Sequence, residues 1–443
     1  MKLEAILNGT ARMNDGLADI RLRDEAEQEH QLDLPFGELF RRFGMPNPIA
    51  LDLVITASLC YLVDKTVPRQ SAPDNWTRDL DVTLPVSEPK RLLPVAEALS
   101  RALTFLTGDI WHLHFHQSPH ALFEPPAQKP LPVIAPANAV SLFSGGLDSL
   151  AGAIDLIAET HHQRVLLIGH YDSPGPRKAQ AYLGSRLRQQ YPGRVEMMHV
   201  RVAHRPVKAA EETLRSRSFV FLALGLYAAQ ALGTDIPLNM FENGLIALNI
   251  PLTPSRNGSC STRTMHPYYL EQMRSIISML GIPNIIVNPY ALKTKGECVT
   301  ECAGKDLLAT LADLSVSCSH ASRKQNWVRK GSNNCGYCVP CIFRRAAMHR
   351  AGLDHGHQYG VDILAGELAV TDAWESASDL RAISDFIRHP LTPALLKKKL
   401  VAIARFRDLD AHVDLAVRGF AEVKAWLQGG GGKLSAIGDP GHA

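Results

Sequence analysis

Ser144-Gly145-Gly146-Leu147-Asp148-Ser149 lies between a short apolar run, Val140-Ser141-Leu142-Phe143, and an apolar stretch from 150 to about 158. The order reads as strand, turn, helix. A glycine pair at such a turn lets a ligand come close to the backbone, because no Cβ stands in the way. The first N–H groups of the helix lack intrahelical partners and face an anion. Ser144 and Ser149 add hydroxyl donors. Asp148 is out of place in a plain phosphate cradle and points to a metal or a positioned amide. No Gly-Lys-Ser/Thr closes the string, so it is not a Walker loop.

Apolar runs at 165–169, 195–200, 238–241 and 285–287 alternate with helical stretches at 177–190, 216–232 and 268–280. That alternation predicts an α/β domain with a doubly wound parallel sheet. Ligands of such sheets bind beyond the carboxyl ends of the strands. The chemically capable residues fall at those ends: the 144–149 loop, His170 to Ser173, Glu242-Asn243-Gly244, and Lys293-Thr294-Lys295.

A second signal comes late. Cys335-Gly336-Tyr337-Cys338-Val339-Pro340-Cys341 gives three thiols at successive C-x-x-C spacing, with Cys318 upstream. Four thiolates suit a closed tetrahedral zinc site; an iron–sulfur cluster or free thiols are the alternatives, and Cys298 or Cys302 could replace Cys318. The chain has eight cysteines, and no secretory signal follows Met1, so a cytoplasmic setting and metal are expected over disulfides.

The flanks read differently. At 443 residues the chain is long enough for two or three domains. Residues 1–117 read as an α+β accessory domain, with strands near 2–7, 19–23, 30–34, 79–84 and 111–116 and helices near 49–63 and 89–106. His112, His114 and His116 share one strand face, read as solvated or an interface rather than a metal patch. Prolines crowd 118–137, a linker. Residues 351–443 read as a helical extension, amphipathic over 395–427, with a loose glycine tail. His161-His162 close a helix, where imidazolium suits the dipole. Hydrophobic residues make up 46% and charged residues 21%, and the net charge is +3, which does not favour bulk nucleic-acid binding. No apolar run reaches membrane-spanning length, so no membrane partner is expected. Arg323, Lys324, Arg329 and Lys330 around Trp327 leave a nucleic-acid contact open, although a solvated excursion of the zinc loop is the plainer reading.

The 144–149 string resembles the pyrophosphate loop of the PP-loop ATP pyrophosphatases, which use ATP to adenylate an oxygen and release pyrophosphate. With the late cysteines, the chain resembles the 7-cyano-7-deazaguanine synthase (QueC) family over about 138–350. The Arg215-Ser216-Arg217-Ser218-Phe219 and Lys293-Thr294-Lys295-Gly296-Glu297 stretches agree with it. The long flanks and the long gap between Cys318 and Cys335 resemble the QueC-like proteins of bacterial anti-phage operons, in particular the Qat system.

The resemblance implies an ATP-dependent carbon–nitrogen ligase. ATP would lie against Ser144, Gly145, Gly146, Leu147, Asp148 and Ser149, with His170 and Asp172 also at the nucleotide, and Mg2+ near Asp148. Arg217, Lys293 and Lys295 would offset charge at the α-phosphate. A 7-carboxy-7-deazaguanine-like acid would be read by Glu242, Asn243, Gly244 and Tyr268, and an amine, either ammonia or one on a partner protein of the same defence operon, would attack. The 257–261 segment would gate the pocket. Zn2+ on Cys318, Cys335, Cys338 and Cys341 would be structural. The competing readings are a nucleotide- or nucleic-acid-binding component with little catalysis, a housekeeping nitrile-forming synthase, or a tRNA-thiolating enzyme, the last disfavoured because Cys260 stands alone.

Overall fold

A computed structural model describes the chain apart from residues 8–10, 13–18, 45–46, 122, 125–136, 161–162, 206–208, 212, 254–262, 369–376 and 430–443. The His161-His162 pair, the 257–261 gate with Cys260, most of the proline-rich linker and nearly all of the glycine tail lie outside the described residues.

Five parallel strands form one sheet in the order Val195–Arg201, Val165–Tyr171, Ala139–Leu142, Leu238–Asn239, Ile286–Val287. Alternate residues of these strands go to opposite faces, as the period of two demands. Val140, Leu142, Leu166, Ile168, Met198 and Val200 join one core, with the helix Arg217–Leu232. Ala139, Val165, Leu167, Val195 and Met197 join another, with the helix Leu147–Glu159. Both faces are covered, so the strands read as apolar runs rather than as alternation. The strand order reverses direction between Ala139–Leu142 and Leu238–Asn239, which opens a crevice at their carboxyl ends.

The first 117 residues build a second sheet of Glu29–Asp33, Ile20–Asp24, Lys2–Leu7, Asp79–Val86 and Ile110–Gln117. A sixth strand, Ala203–Arg205, comes from beyond the linker and pairs antiparallel with Glu29–Asp33. It follows directly on Val195–Arg201, so one stretch of chain serves both sheets. The helix Pro48–Thr66 is buried on nearly every side and packs against Arg217–Leu232, which is also apolar all round. Residues of both regions lie in a single apolar cluster running from Leu3 to Ile286. The 1–117 segment, expected to be accessory, therefore shares its core with the parallel sheet.

Two helices expected to be continuous are broken. The 89–106 stretch is interrupted by a 3-10 turn at Leu93–Val95, where Pro94 lacks an N–H. The 395–427 stretch divides into Pro393–Ile403 and Leu409–Gly429, the second opened by Asp408, whose carboxylate accepts from Ala411 N at 3.0 Å. His112 and His114 are exposed and face Asp79 and Asp81 at 3.2 and 3.3 Å. No helix among the described residues is long and apolar enough to cross a membrane.

Candidate functional site

The 144–149 loop sits at the crevice. Gly145 has φ +81°, a left-handed backbone that side chains rarely adopt, and turns the chain from strand to helix. The helix starts at Leu147, earlier than the apolar pattern suggested, so Asp148 and Ser149 lie in its first turn. Ser144 Oγ accepts from Gly146 N at 3.2 Å and lies 3.1 Å from Ser149 Oγ. Leu147 N donates to Ser317 Oγ at 3.1 Å, and Val316 N donates to Gly145 O at 2.9 Å. Ser317, which directly precedes Cys318, is a loop contact absent from the sequence reading; nothing in its local pattern signals it.

Asp148 is nearly buried and both its carboxylate oxygens are occupied. Oδ1 accepts from Lys295 Nζ at 2.5 Å and Oδ2 from Asn243 Nδ2 at 2.7 Å. Lys295 belongs to a short helix, Lys295–Thr300, opened by a capping box in which Thr294 and Glu297 satisfy each other. Asn243 does two jobs: its Oδ1 caps the helix Gly244–Leu248 while its amide nitrogen reaches Asp148. The structure thus brings Asp148, Asn243 and Lys295 together from three crevice segments. It places Lys293 elsewhere: its ammonium pairs with Glu301 at 3.0 Å and lies over the ring of Tyr290.

Beside the loop lies a cavity of about 230 Å³, lined by Ser144, Ser149, Arg217, Glu242, Thr264 and Met265 among others. Arg217 donates from Nε to His170 Nδ1 at 3.1 Å and from Nη2 to His170 O at 2.9 Å. No carboxylate among the described residues pairs with it, which leaves a guanidinium open to an anion. His170 is fully buried and donates from Nε2 to Val202 O at 3.2 Å. Burial, then Arg217, push its pKa well down, so the ring is neutral and can accept from Arg217. Asp172 accepts from the Tyr61 hydroxyl at 2.6 Å. Burial opposes its charge, but Tyr61, Arg217 and Lys65 hold its pKa low. His170 and Asp172 therefore support Arg217 from behind the cavity rather than line it.

Glu242 is half-buried on the cavity wall, and Thr264 Oγ1 donates to it at 3.3 Å. Burial, then the charge of Asp148, push its pKa up to about 7. Gly244 packs behind this wall, its N–H donating to Lys293 O at 2.9 Å. Tyr268 stacks edge-on against Phe105 with ring centroids 4.8 Å apart, on a groove separate from the cavity. Thr264 and Met265, which do line the cavity, carried no sequence signal.

Cys318, Cys335, Cys338 and Cys341 place their sulfur atoms within 4.8 Å of one another. Tetrahedral zinc with Zn–S of about 2.3 Å requires S···S separations of about 3.8 Å. The pairs Cys335–Cys341 and Cys338–Cys318 lie at 3.7 and 4.0 Å. N–H groups of Cys335 and His320 point at Cys318 Sγ, and those of Tyr337 and Cys338 at Cys335 Sγ. Gly336 turns with φ +92° against Val361 O, where a Cβ would sit 2.3 Å away. The cluster can hold a metal ion such as zinc, and four thiolates leave no position for a reacting water. Cys298 and Cys302 are buried apart from it.

The basic segment between Cys318 and Cys335 does not present a free aromatic. Trp327 is buried, and Arg329 is paired with Glu367. The helix Leu409–Gly429 braces the site from the far side. Glu422 accepts from Thr294 Oγ1, from Gly296 N at 3.1 Å and from Arg350, while Arg418 reaches Glu297 and Leu292 O.

Comparison with protein-family models, with curated proteins and with solved structures gave no match.

Proposed function

We propose that the chain is an ATP-dependent ligase of the QueC-like, PP-loop type, which adenylates the carboxylate of a 7-carboxy-7-deazaguanine-like acid for attack by an amine. The observation that carries this reading is the cavity at the strand-order reversal. Hydroxyls of a Gly-Gly helix-opening loop line one side; a guanidinium that no carboxylate among the described residues pairs with, and a protonatable acid, line the other.

ATP fits the loop through its phosphates. The hydroxyls of Ser144 and Ser317 hold the N–H groups of Gly146 and Leu147 and can yield them to phosphate oxygens. The acid's carboxylate oxygen attacks the α-phosphorus, the bond to the bridging oxygen of pyrophosphate breaks, and an acyl-adenylate forms. An amine nitrogen then attacks the acyl carbon, AMP leaves, and the amine gives up a proton. Arg217 and Lys295 supply positive charge where negative charge develops on phosphorus-bound oxygen. Glu242, with a pKa near neutrality, can accept a hydrogen bond from a guanine-like edge or take the amine's proton. Asp148 is a poor direct ligand for Mg2+, since N–H donors already hold both its oxygens; its fit is to orient Lys295. The cysteine cluster holds zinc in a structural role. The amine, whether ammonia or one on a partner protein in anti-phage defence, follows from the resemblance of the long flanks.

The test is ATP cleavage by the purified chain with and without 7-carboxy-7-deazaguanine, with mass spectrometry of every product. Acid-stimulated release of AMP and pyrophosphate, strongly lowered but still measurable in Arg217→Ala, supports the reading. Absence of stimulation overturns it.

A further inference from the structure

The cavity wall that carries Arg217 is held from outside the parallel sheet. Resting on the ligase reading, we propose that Asp64, on the helix Pro48–Thr66, is the positioning residue for Arg217, so that the first 117 residues complete the anion-binding wall.

Ser216 is the N-cap residue of the helix Arg217–Leu232, and Arg217 is its first residue. Asp64 Oδ2 accepts from Ser216 Oγ at 2.7 Å, from Ser216 N at 3.2 Å and from Thr213 Oγ1 at 3.2 Å. Its Oδ1 pairs with Arg78 at 2.7 Å, and Asp109 pairs with both Arg78 and Arg69, at 2.6 and 2.7 Å. Asp64 is therefore fixed on one side and grips the start of the Arg217 helix on the other.

The same helix also orients the Arg217 side chain. Tyr61 and Lys65, three residues before Asp64 and one after it, both face Asp172, and the Tyr61 ring packs edge-on against His170 with centroids 5.8 Å apart. His170 Nδ1 and O are the two acceptors of Arg217. Backbone and guanidinium are thus both set from Pro48–Thr66. An apolar side chain in place of Asp64 would take a carboxylate partner from the buried Arg78 guanidinium and would leave the Ser216 N–H and hydroxyl without this acceptor.

A double-mutant cycle in the full chain tests this. Ser216→Ala removes the shortest of the three contacts to Asp64 Oδ2 and leaves the Arg78–Asp109 pair intact; Asp64→Asn is the stronger variant, used if thermal unfolding shows it folded. In Ser216→Ala, kcat for acid-dependent ATP cleavage should fall about tenfold. In an Arg217→Ala background the same change should cost no further kcat, because both act through one group. Losses that multiply, or a folded Ser216→Ala with unchanged kcat, overturn the proposal. A wild-type chain without acid-stimulated cleavage sinks the ligase reading alone. The 15N resonance of His170 Nδ1 then decides the positioning: a shift in Ser216→Ala towards an unbonded ring nitrogen upholds it, and an unchanged resonance overturns it.

Discussion

Lys295 Nζ lies 2.5 Å from Asp148 Oδ1 although the two residues are 147 positions apart, and both are almost wholly buried. The pair joins the phosphate-type loop to the Lys-Thr-Lys segment. Removing one member strands a buried charge, which costs about 3–5 kcal/mol. Lys295→Met should lower unfolding free energy by that order and abolish acid-dependent ATP cleavage. Adding Asp148→Asn should recover most of the stability and none of the activity. Chemical denaturation of the three variants checks it; a double variant as unstable as Lys295→Met would contradict the coupling.

Glu242 gives a pH signature. Its folded pKa is raised from the ordinary 4.5 to about 7 by burial and by Asp148. Between those values the folded chain holds a proton that the unfolded chain has released. Its contribution to stability is therefore fully present below about 4.5 and is lost as pH rises through about 7. Melting temperature followed from pH 4.5 to 8 should fall in the wild type relative to Glu242→Gln. Parallel curves would remove Glu242 from the account.

The cysteine cluster reaches the loop through one short segment. Cys318 follows Val316 and Ser317, which hold Gly145 O and Leu147 N, and Asn334 fixes Ser317 N at 3.0 Å next to Cys335. Elemental analysis should find one metal ion per chain. Cys338→Ser should remove it, lower the melting temperature and raise KM for ATP, because the loop loses its backing. A metal-free variant with unchanged melting temperature and KM would show that the cluster needs no ion.

Much of this site was legible in the sequence because it is local. The Gly-Gly turn, the strand–helix alternation and the C-x-x-C spacing each depend on neighbours a few residues away, and the strands at 2–7, 165–171 and 195–201 lie within two residues of expectation. What escaped depends on long-range contact. Ala203–Arg205 lies beyond the run read as a strand at 195–200, and nothing in its pattern hints that it joins the other sheet. Lys293 and Lys295 look equivalent, yet their side chains leave the chain in different directions, one to Glu301 and one to Asp148. Tyr268, expected to read the substrate, packs on Phe105, while its neighbour Tyr269 is buried in the core. The flanks looked detachable because composition marks linkers but not the faces that pack.

The C-terminal flank yields the last prediction. Glu422 is largely buried and accepts from Thr294 and Gly296, the cap and first turn of the helix that begins with Lys295, and from Arg350. Without that carboxylate, three donors lose an acceptor, and each hydrogen bond to a charged group contributes about 1.5–3 kcal/mol. The bonds share one group and are not additive. Glu422→Ala should therefore cost about 2–4 kcal/mol of stability and lower kcat more than it raises KM, since Lys295 is displaced while the phosphate loop keeps its own contacts. Glu422→Gln keeps the shape and an acceptor oxygen, and should recover most of the stability. Steady-state kinetics with ATP varied at saturating acid separates the outcomes: a loss confined to KM would mean that the C-terminal helix supports the nucleotide loop instead of Lys295.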